Sequence, residues 1–105
     1  MIRIILLCAG GLSTSFLVQN MLKAAKARGL QAEVKARAEH DLDGNIGNVD
    51  VVLLAPQARY GEAKVKEVCT KHGKRFAVIP GMVYGGMNGE AALDLALSLL
   101  PKEKA

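Results

Sequence analysis

Hydrophobic residues fall in two patterns along this chain, short unbroken runs and longer stretches with helical spacing. The run Arg3 to Leu7 is apolar after its first residue and ends at Cys8-Ala9-Gly10-Gly11, as expected of a strand buried on both faces. From Ser13 to Arg28 the period changes. Gln19, Lys23 and Lys26 form a polar stripe, while Leu17, Val18, Met21, Leu22 and Ala25 share the other face. This predicts an amphipathic helix, with Gly29 just past its end. Gln31 to Arg37 then alternates, Ala32, Val34 and Ala36 against Glu33, Lys35 and Arg37, so this strand has one wet face and belongs at the periphery.

The acidic stretch Glu39 to Asn48 contains Gly44 and Gly47 and predicts a short helix or a loop. Val49 to Leu54 is a second apolar strand, interrupted by Asp50 and stopped at Ala55-Pro56-Gln57, since proline cannot continue a ladder. Gly61 to His72 places Val65, Val68, Cys69 and His72 at helical spacing, and Gly73 can end that helix. Arg75 to Ile79 reads as a fourth strand. The glycines at 81, 85, 86 and 89 predict a flexible loop after it, and Asn88 can cap a last helix that stops before Pro101.

Strands alternating with helices imply an α/β domain with a parallel sheet. The two continuous apolar strands, first and third, should be central, and right-handed crossovers then give the order 2-1-3-4. In that order the winding direction reverses between strands 1 and 3, where a crevice opens at their carboxyl ends. Those ends carry Cys8 and the Pro56-Gln57 turn.

Composition trims the function classes. At 105 residues the chain has room for one domain, residues 1–105. Half the residues are hydrophobic but only 4% are aromatic, which argues against a sugar-stacking or base-stacking surface. The net charge of +4 is uneven: Ala38 to Ala58 holds four acidic residues and no Lys or Arg. A solvated surface explains that, and it also suits an anionic partner. No basic run has the density of a nucleic-acid module. The apolar start is too short for a signal core and no stretch approaches a membrane span, so the chain reads as cytoplasmic. Two cysteines without CxxC spacing exclude a disulfide scaffold and a cysteine zinc site.

The candidate chemistry lies at Cys8. The segment Cys8-Ala9-Gly10-Gly11-Leu12-Ser13-Thr14-Ser15 runs from a strand end into a helix start. Two glycines let several backbone N–H groups point inward, and the helix adds unpaired donors and partial positive charge. Ser13, Thr14 and Ser15 add hydroxyls. Together these would hold a phosphate and favour the thiolate of Cys8 over the thiol, the arrangement for phosphate chemistry on sulfur. The plainer alternative is a buried, inert cysteine beside an ordinary helix cap. There is no GxxxxGK[ST], GxGxxG or GxSxG.

These residues resemble enzyme IIB of the lactose/cellobiose (chitobiose) branch of the bacterial sugar phosphotransferase system. The resemblance rests on the Cys8 to Ser15 loop, on Asp50-Val-Val-Leu-Leu-Ala-Pro-Gln57 and on Met82-Val83-Tyr84-Gly85. It implies a four-stranded parallel sheet. It also implies that Cys8 accepts a phosphoryl group from a phosphohistidine of enzyme IIA. Cys8 then passes it to a sugar, such as cellobiose, chitobiose or lactose, bound by the membrane component, enzyme IIC. Neither metal nor cofactor is called for, and the isolated chain is expected to be a monomer that meets the inner face of the membrane through its partner.

Low-molecular-weight tyrosine phosphatases and arsenate reductases also place a cysteine loop after the first strand. Phosphatases follow the cysteine with five residues and an Arg, which clamps the phosphoryl oxygens; here that position is Thr14. The departure favours transfer over hydrolysis. A third reading keeps the fold but uses Cys8 only as a redox thiol in a partner-binding or anion-binding module. Gln57 should flank Cys8 across the switch point, as phosphate donor or simple turn residue, and Tyr84 is placed at the site rim or packed in the core or on the surface. Cys69 reads as core, His72 as a helix-ending residue that suits the dipole, and His40 as a surface residue.

Overall fold

The structure, a computed structural model, describes residues 1–8 and 13–100. Four parallel strands, β1 (Ile2–Cys8), β2 (Ala32–Ala38), β3 (Val51–Leu54) and β4 (Arg75–Val78), form one sheet in the order β2-β1-β3-β4. This is the predicted topology. Ile4 to Leu7 and the whole of β3 are at most 1% exposed, because both strands are flanked in the sheet and covered on both faces. β2 keeps its alternation at the edge, with Val34 buried and Lys35 and Arg37 exposed.

One face of the sheet carries α1 (Ser13–Ala27) and α5 (Gly89–Ser98), the other α3 (Glu62–Lys71). Successive β1 residues point to opposite faces, so Ile4, Leu6 and Cys8 join the α1 and α5 side while Ile5 and Leu7 join the α3 side. Each fully buried aliphatic side chain contributes roughly 1.5–3 kcal/mol relative to exposure, and nearly every interior strand residue here is of that kind.

The helix ends follow their glycines. Gly29 and Gly73 take φ of +70° and +69° just beyond α1 and α3, a region other residues enter only at a cost. Asn88 caps α5 as predicted, its side-chain oxygen accepting from the Ala91 N–H at 3.0 Å.

Three expectations change. Leu22, placed on the apolar face of α1, is 37% exposed. The buried stripe is narrower, running Thr14, Leu17, Met21, Ala24 and Ala25, so Leu22 sits on its shoulder. The ladder of β3 begins at Val51 rather than Val49, because Asp50 closes a loop with β1. Its N–H donates to the Arg3 carbonyl at 2.8 Å, and its carboxylate accepts from the Arg3 N–H at 2.9 Å. The glycine-rich segment after β4 is not an irregular loop: Pro80 starts α4 (Gly81–Gly85), and the buried Tyr84 pins it to the core.

The acidic stretch resolves into α2 (Leu42–Asn45) between two 3-10 turns. Leu42 and Ile46 are one helical turn apart and both buried, and they seal the α3 face of the sheet.

Candidate functional site

Every strand ends on one edge of the sheet, and the registers bring those ends level. Leu7 pairs with Leu54, and Leu54 with Val78. One residue further on, the Ala55 N–H donates to the Leu7 carbonyl and the Ile79 N–H to the Leu54 carbonyl, both at 2.8 Å. Pro56 and Pro80 follow immediately and stop the ladders, since neither has an N–H to give. The edge is thus cut square, and Cys8 stands on it as the last residue of an interior strand.

Cys8 is 7% exposed. Its sulfur lies 3.7 Å from the Arg37 carbonyl of β2, within reach of a weak S–H donation. Through its face of β1 it belongs to the α1 and α5 core. The winding switch predicted from strand order falls between β1, which ends at Cys8, and β3.

Of the predicted phosphate loop, Ala9, Gly10, Gly11 and Leu12 lie outside the described residues, as does the side chain of Ser13. What is described is the helix they lead to. α1 opens at Ser13, and its first turn carries backbone N–H groups without partners in the helix. Ser15 is on the exposed side of that turn.

Thr14 is turned the other way. It is 2% exposed, and its hydroxyl shares a hydrogen bond of 2.7 Å with the Tyr84 hydroxyl. Tyr84, itself 6% exposed, is therefore a core residue beneath the start of α1. Thr14 lies three residues before Leu17 and seven before Met21, a helical spacing that could have marked it as facing the core rather than the phosphate. Nothing local marked Tyr84 as its partner, because the contact spans 70 residues of sequence.

A second tie holds α1 to the same segment: the Asn20 side-chain amide donates to the Met87 carbonyl at 2.8 Å. Met87 sits at φ +51°, the turn that lets the chain leave α4 and enter α5.

Gln57 is the second residue of the 3-10 turn (Pro56–Gly61) after β3, on the same edge as Cys8 and exposed to solvent. Cys69 is apart from all of this. It lies on α3 across the sheet, 1% exposed, and burial pushes its thiol up to about 11. His72 is exposed at the end of α3 and His40 is exposed beside Asp41 at 3.6 Å. The two cysteines are thus on opposite faces of the sheet, Cys8 at the end of an interior strand and Cys69 within α3.

Known proteins share this architecture and sequence. The oligo-beta-mannoside-specific EIIB component of the PTS system of Bacillus subtilis (strain 168) is 32% identical over 98 residues, covering 93% of this chain and 95% of its own. The lactose-specific EIICB component of Lacticaseibacillus casei is 33% identical over 94% of this chain, which spans 18% of that longer protein. The solution structure of a cellobiose-specific phosphotransferase IIB component from Borrelia burgdorferi superposes with a TM-score of 0.80 at 39% identity, covering 94% of this chain and 91% of that one. The family of PTS system lactose/cellobiose-specific IIB subunits matches residues 3–95. With the parallel sheet and the cysteine at its square edge, the chain belongs to that family, the IIB phosphotransferase subunits that serve bacterial sugar uptake.

Proposed function

We propose that Cys8 is the phosphoryl carrier of this subunit, taking the group from a phosphohistidine of enzyme IIA and giving it to a sugar held by enzyme IIC. The observation that carries this reading is the place of Cys8: last residue of an interior strand, at the winding switch, one short loop before the start of a long helix.

In the first step the Cys8 thiolate attacks phosphorus in line. An S–P bond forms as the N–P bond of the donor breaks, and its electron pair stays on the imidazole nitrogen, which takes up a proton. Backbone N–H groups of residues 9–15 hold the equatorial oxygens, with the Ser13 and Ser15 hydroxyls beside them. The Thr14 hydroxyl is bonded to Tyr84, so Thr14 contributes through its backbone. Gln57, on the same edge, can donate from across the switch point.

In the second step a sugar hydroxyl attacks the phosphocysteine. The O–P bond forms, the S–P bond breaks and the thiolate returns, while the hydroxyl proton goes to a base on enzyme IIC. No base on this chain is needed for either transfer.

The partners follow from the relay. The Lacticaseibacillus casei relative carries EIIC and EIIB in one protein, which supports enzyme IIC as the acceptor. No helix among the described residues is long and apolar enough to cross a membrane; in this reading membrane contact comes through enzyme IIC at the cytoplasmic face. The isolated chain is taken as a monomer. We take the sugar to be a β-linked disaccharide such as cellobiose, chitobiose or lactose; the relatives are named for oligo-beta-mannosides, cellobiose, lactose and galactose.

The test is intact mass after incubation with phosphoenolpyruvate, the general phosphotransferase proteins and a matched enzyme IIA. One added phosphoryl group, absent from Cys8→Ser, is the expected result. No gain in the unmodified chain would overturn the proposal.

A further inference from the structure

Among the described residues Thr14 is the buried polar side chain of the core, and the Tyr84 hydroxyl is its partner at 2.7 Å. A buried hydroxyl left unsatisfied is costly, so this bond is strongly favoured once both residues are packed. Its position matters more than its strength. Thr14 is the second residue of α1 and six residues beyond Cys8. The first turn of a helix is its least constrained part, because its N–H groups have no carbonyl to bond within the helix. Here that turn is fastened from below by a residue of α4.

Tyr84 is well placed to act as such a fastening. Its backbone N–H donates to the Pro80 carbonyl at 3.0 Å, which closes α4, and its ring is packed in the α1 and α5 core. Further along, Asn20 is tied to the Met87 carbonyl. The segment from α4 to the start of α5 therefore grips α1 at two points, and the Thr14 grip is the one at the phosphate end.

We propose that Tyr84 is a positioning residue for phosphoryl transfer: through its hydrogen bond to Thr14 it sets where the first-turn N–H groups of α1 stand relative to the Cys8 sulfur. This rests on the reading of Cys8 as the phosphocysteine. Tyr84 does not touch the phosphoryl group; it acts through the helix start. Transfer in line depends on those donors meeting the equatorial oxygens, and small misplacements of such groups are expensive in rate.

The experiment compares the unmodified chain with Tyr84→Phe, Thr14→Val, Thr14→Ser and the Tyr84→Phe/Thr14→Val double variant. All are assayed at a temperature where circular dichroism shows each one folded. The readouts are the rate and half-saturation of phosphorylation by phospho-enzyme IIA, and the phosphorus NMR shift of the phosphocysteine.

Each variant lacking one hydroxyl should lose about ten- to a hundredfold in maximal rate, with half-saturation unchanged, and should move the phosphorus resonance. The double variant should be no slower than either single one, because both remove the same bond. Thr14→Ser keeps the hydroxyl and should keep most of the rate.

Lower melting temperatures with unchanged rate and resonance would mean that the bond only stabilises the fold, and would overturn the proposal. Multiplying losses in the double variant would put Tyr84 on the phosphoryl group itself and would overturn it too. If the unmodified chain takes up no phosphoryl group, the phosphocysteine reading fails and this one with it; if it does while the variants match it, only the present inference fails.

Discussion

A Cβ on Gly89 would stand 2.3 Å from the carbonyl carbon of Asn20 and 2.6 Å from the Met21 nitrogen, so α5 meets α1 backbone to backbone at its first turn. No side-chain rearrangement can relieve that contact, because the obstructing atoms are main chain. Gly89→Ala should therefore push the two helices apart and destabilise the fold by about 1–3 kcal/mol or more. Chemical denaturation is the check. A midpoint matching the unmodified chain would show that the helices separate freely.

The cap beside it is a milder case. Asn88 spends its side-chain oxygen on the Ala91 N–H, one of the donors that α5 cannot satisfy internally. Asn88→Ala should cost roughly 0.5–2 kcal/mol, and Asn88→Ser, which keeps an acceptor, much less. Equal losses for the two would move the role of Asn88 from capping to packing.

Cys69 predicts both a reactivity and a pH dependence. Its thiol is 1% exposed and pushed up by burial from about 9 to about 11. In the native protein an alkylating agent at neutral pH should therefore modify Cys8 and spare Cys69, and both should react after unfolding. Peptide mass mapping reads this directly.

The stability consequence has a definite sign. The unfolded chain releases the Cys69 proton at a lower pH than the folded one, so this contribution is complete below about pH 9 and is lost as pH rises toward about 11. At 1.4 kcal/mol per unit the loss is roughly 3 kcal/mol at most. In a Cys8→Ser background, adding Cys69→Ala should flatten the decline in denaturation midpoint between about pH 8 and about pH 10.5. An equally steep decline would assign the alkaline loss to other groups.

Aryl phosphates should not be turned over. The position at which a phosphatase carries its clamping arginine is held here by Thr14, whose side chain is buried against Tyr84 rather than turned to the edge. Without a guanidinium fork the developing charge on the three oxygens lacks its strongest stabiliser. Sustained release of p-nitrophenol from p-nitrophenyl phosphate, abolished by Cys8→Ser, would contradict this.

The sheet was legible because its signals are local. β1 and β3 are unbroken apolar runs and β2 alternates, and parallel crossovers leave few ways to arrange such strands. The place of Cys8 was legible for the same reason, since topology alone puts its end of β1 at the switch. Helical spacing misjudged Leu22, which sits on the shoulder of a buried stripe that turns toward Thr14 and Ala24. The pairing of Thr14 with Tyr84 could not be read at all. It depends on α4, a helix of five residues that its glycines disguise, and on two hydroxyls that come together only when the domain closes.

β1 is paired along its full length with β2 and from Ile4 to Leu7 with β3, so the sulfur is mounted on what should be among the last segments to open in hydrogen exchange. On the proposed relay, a sulfur that a donor and an acceptor protein must find in turn gains from such a mounting. Donor and acceptor can each approach from solvent and depart again while the reacting atom keeps one address, so neither encounter has to rebuild the nucleophile's geometry before chemistry begins.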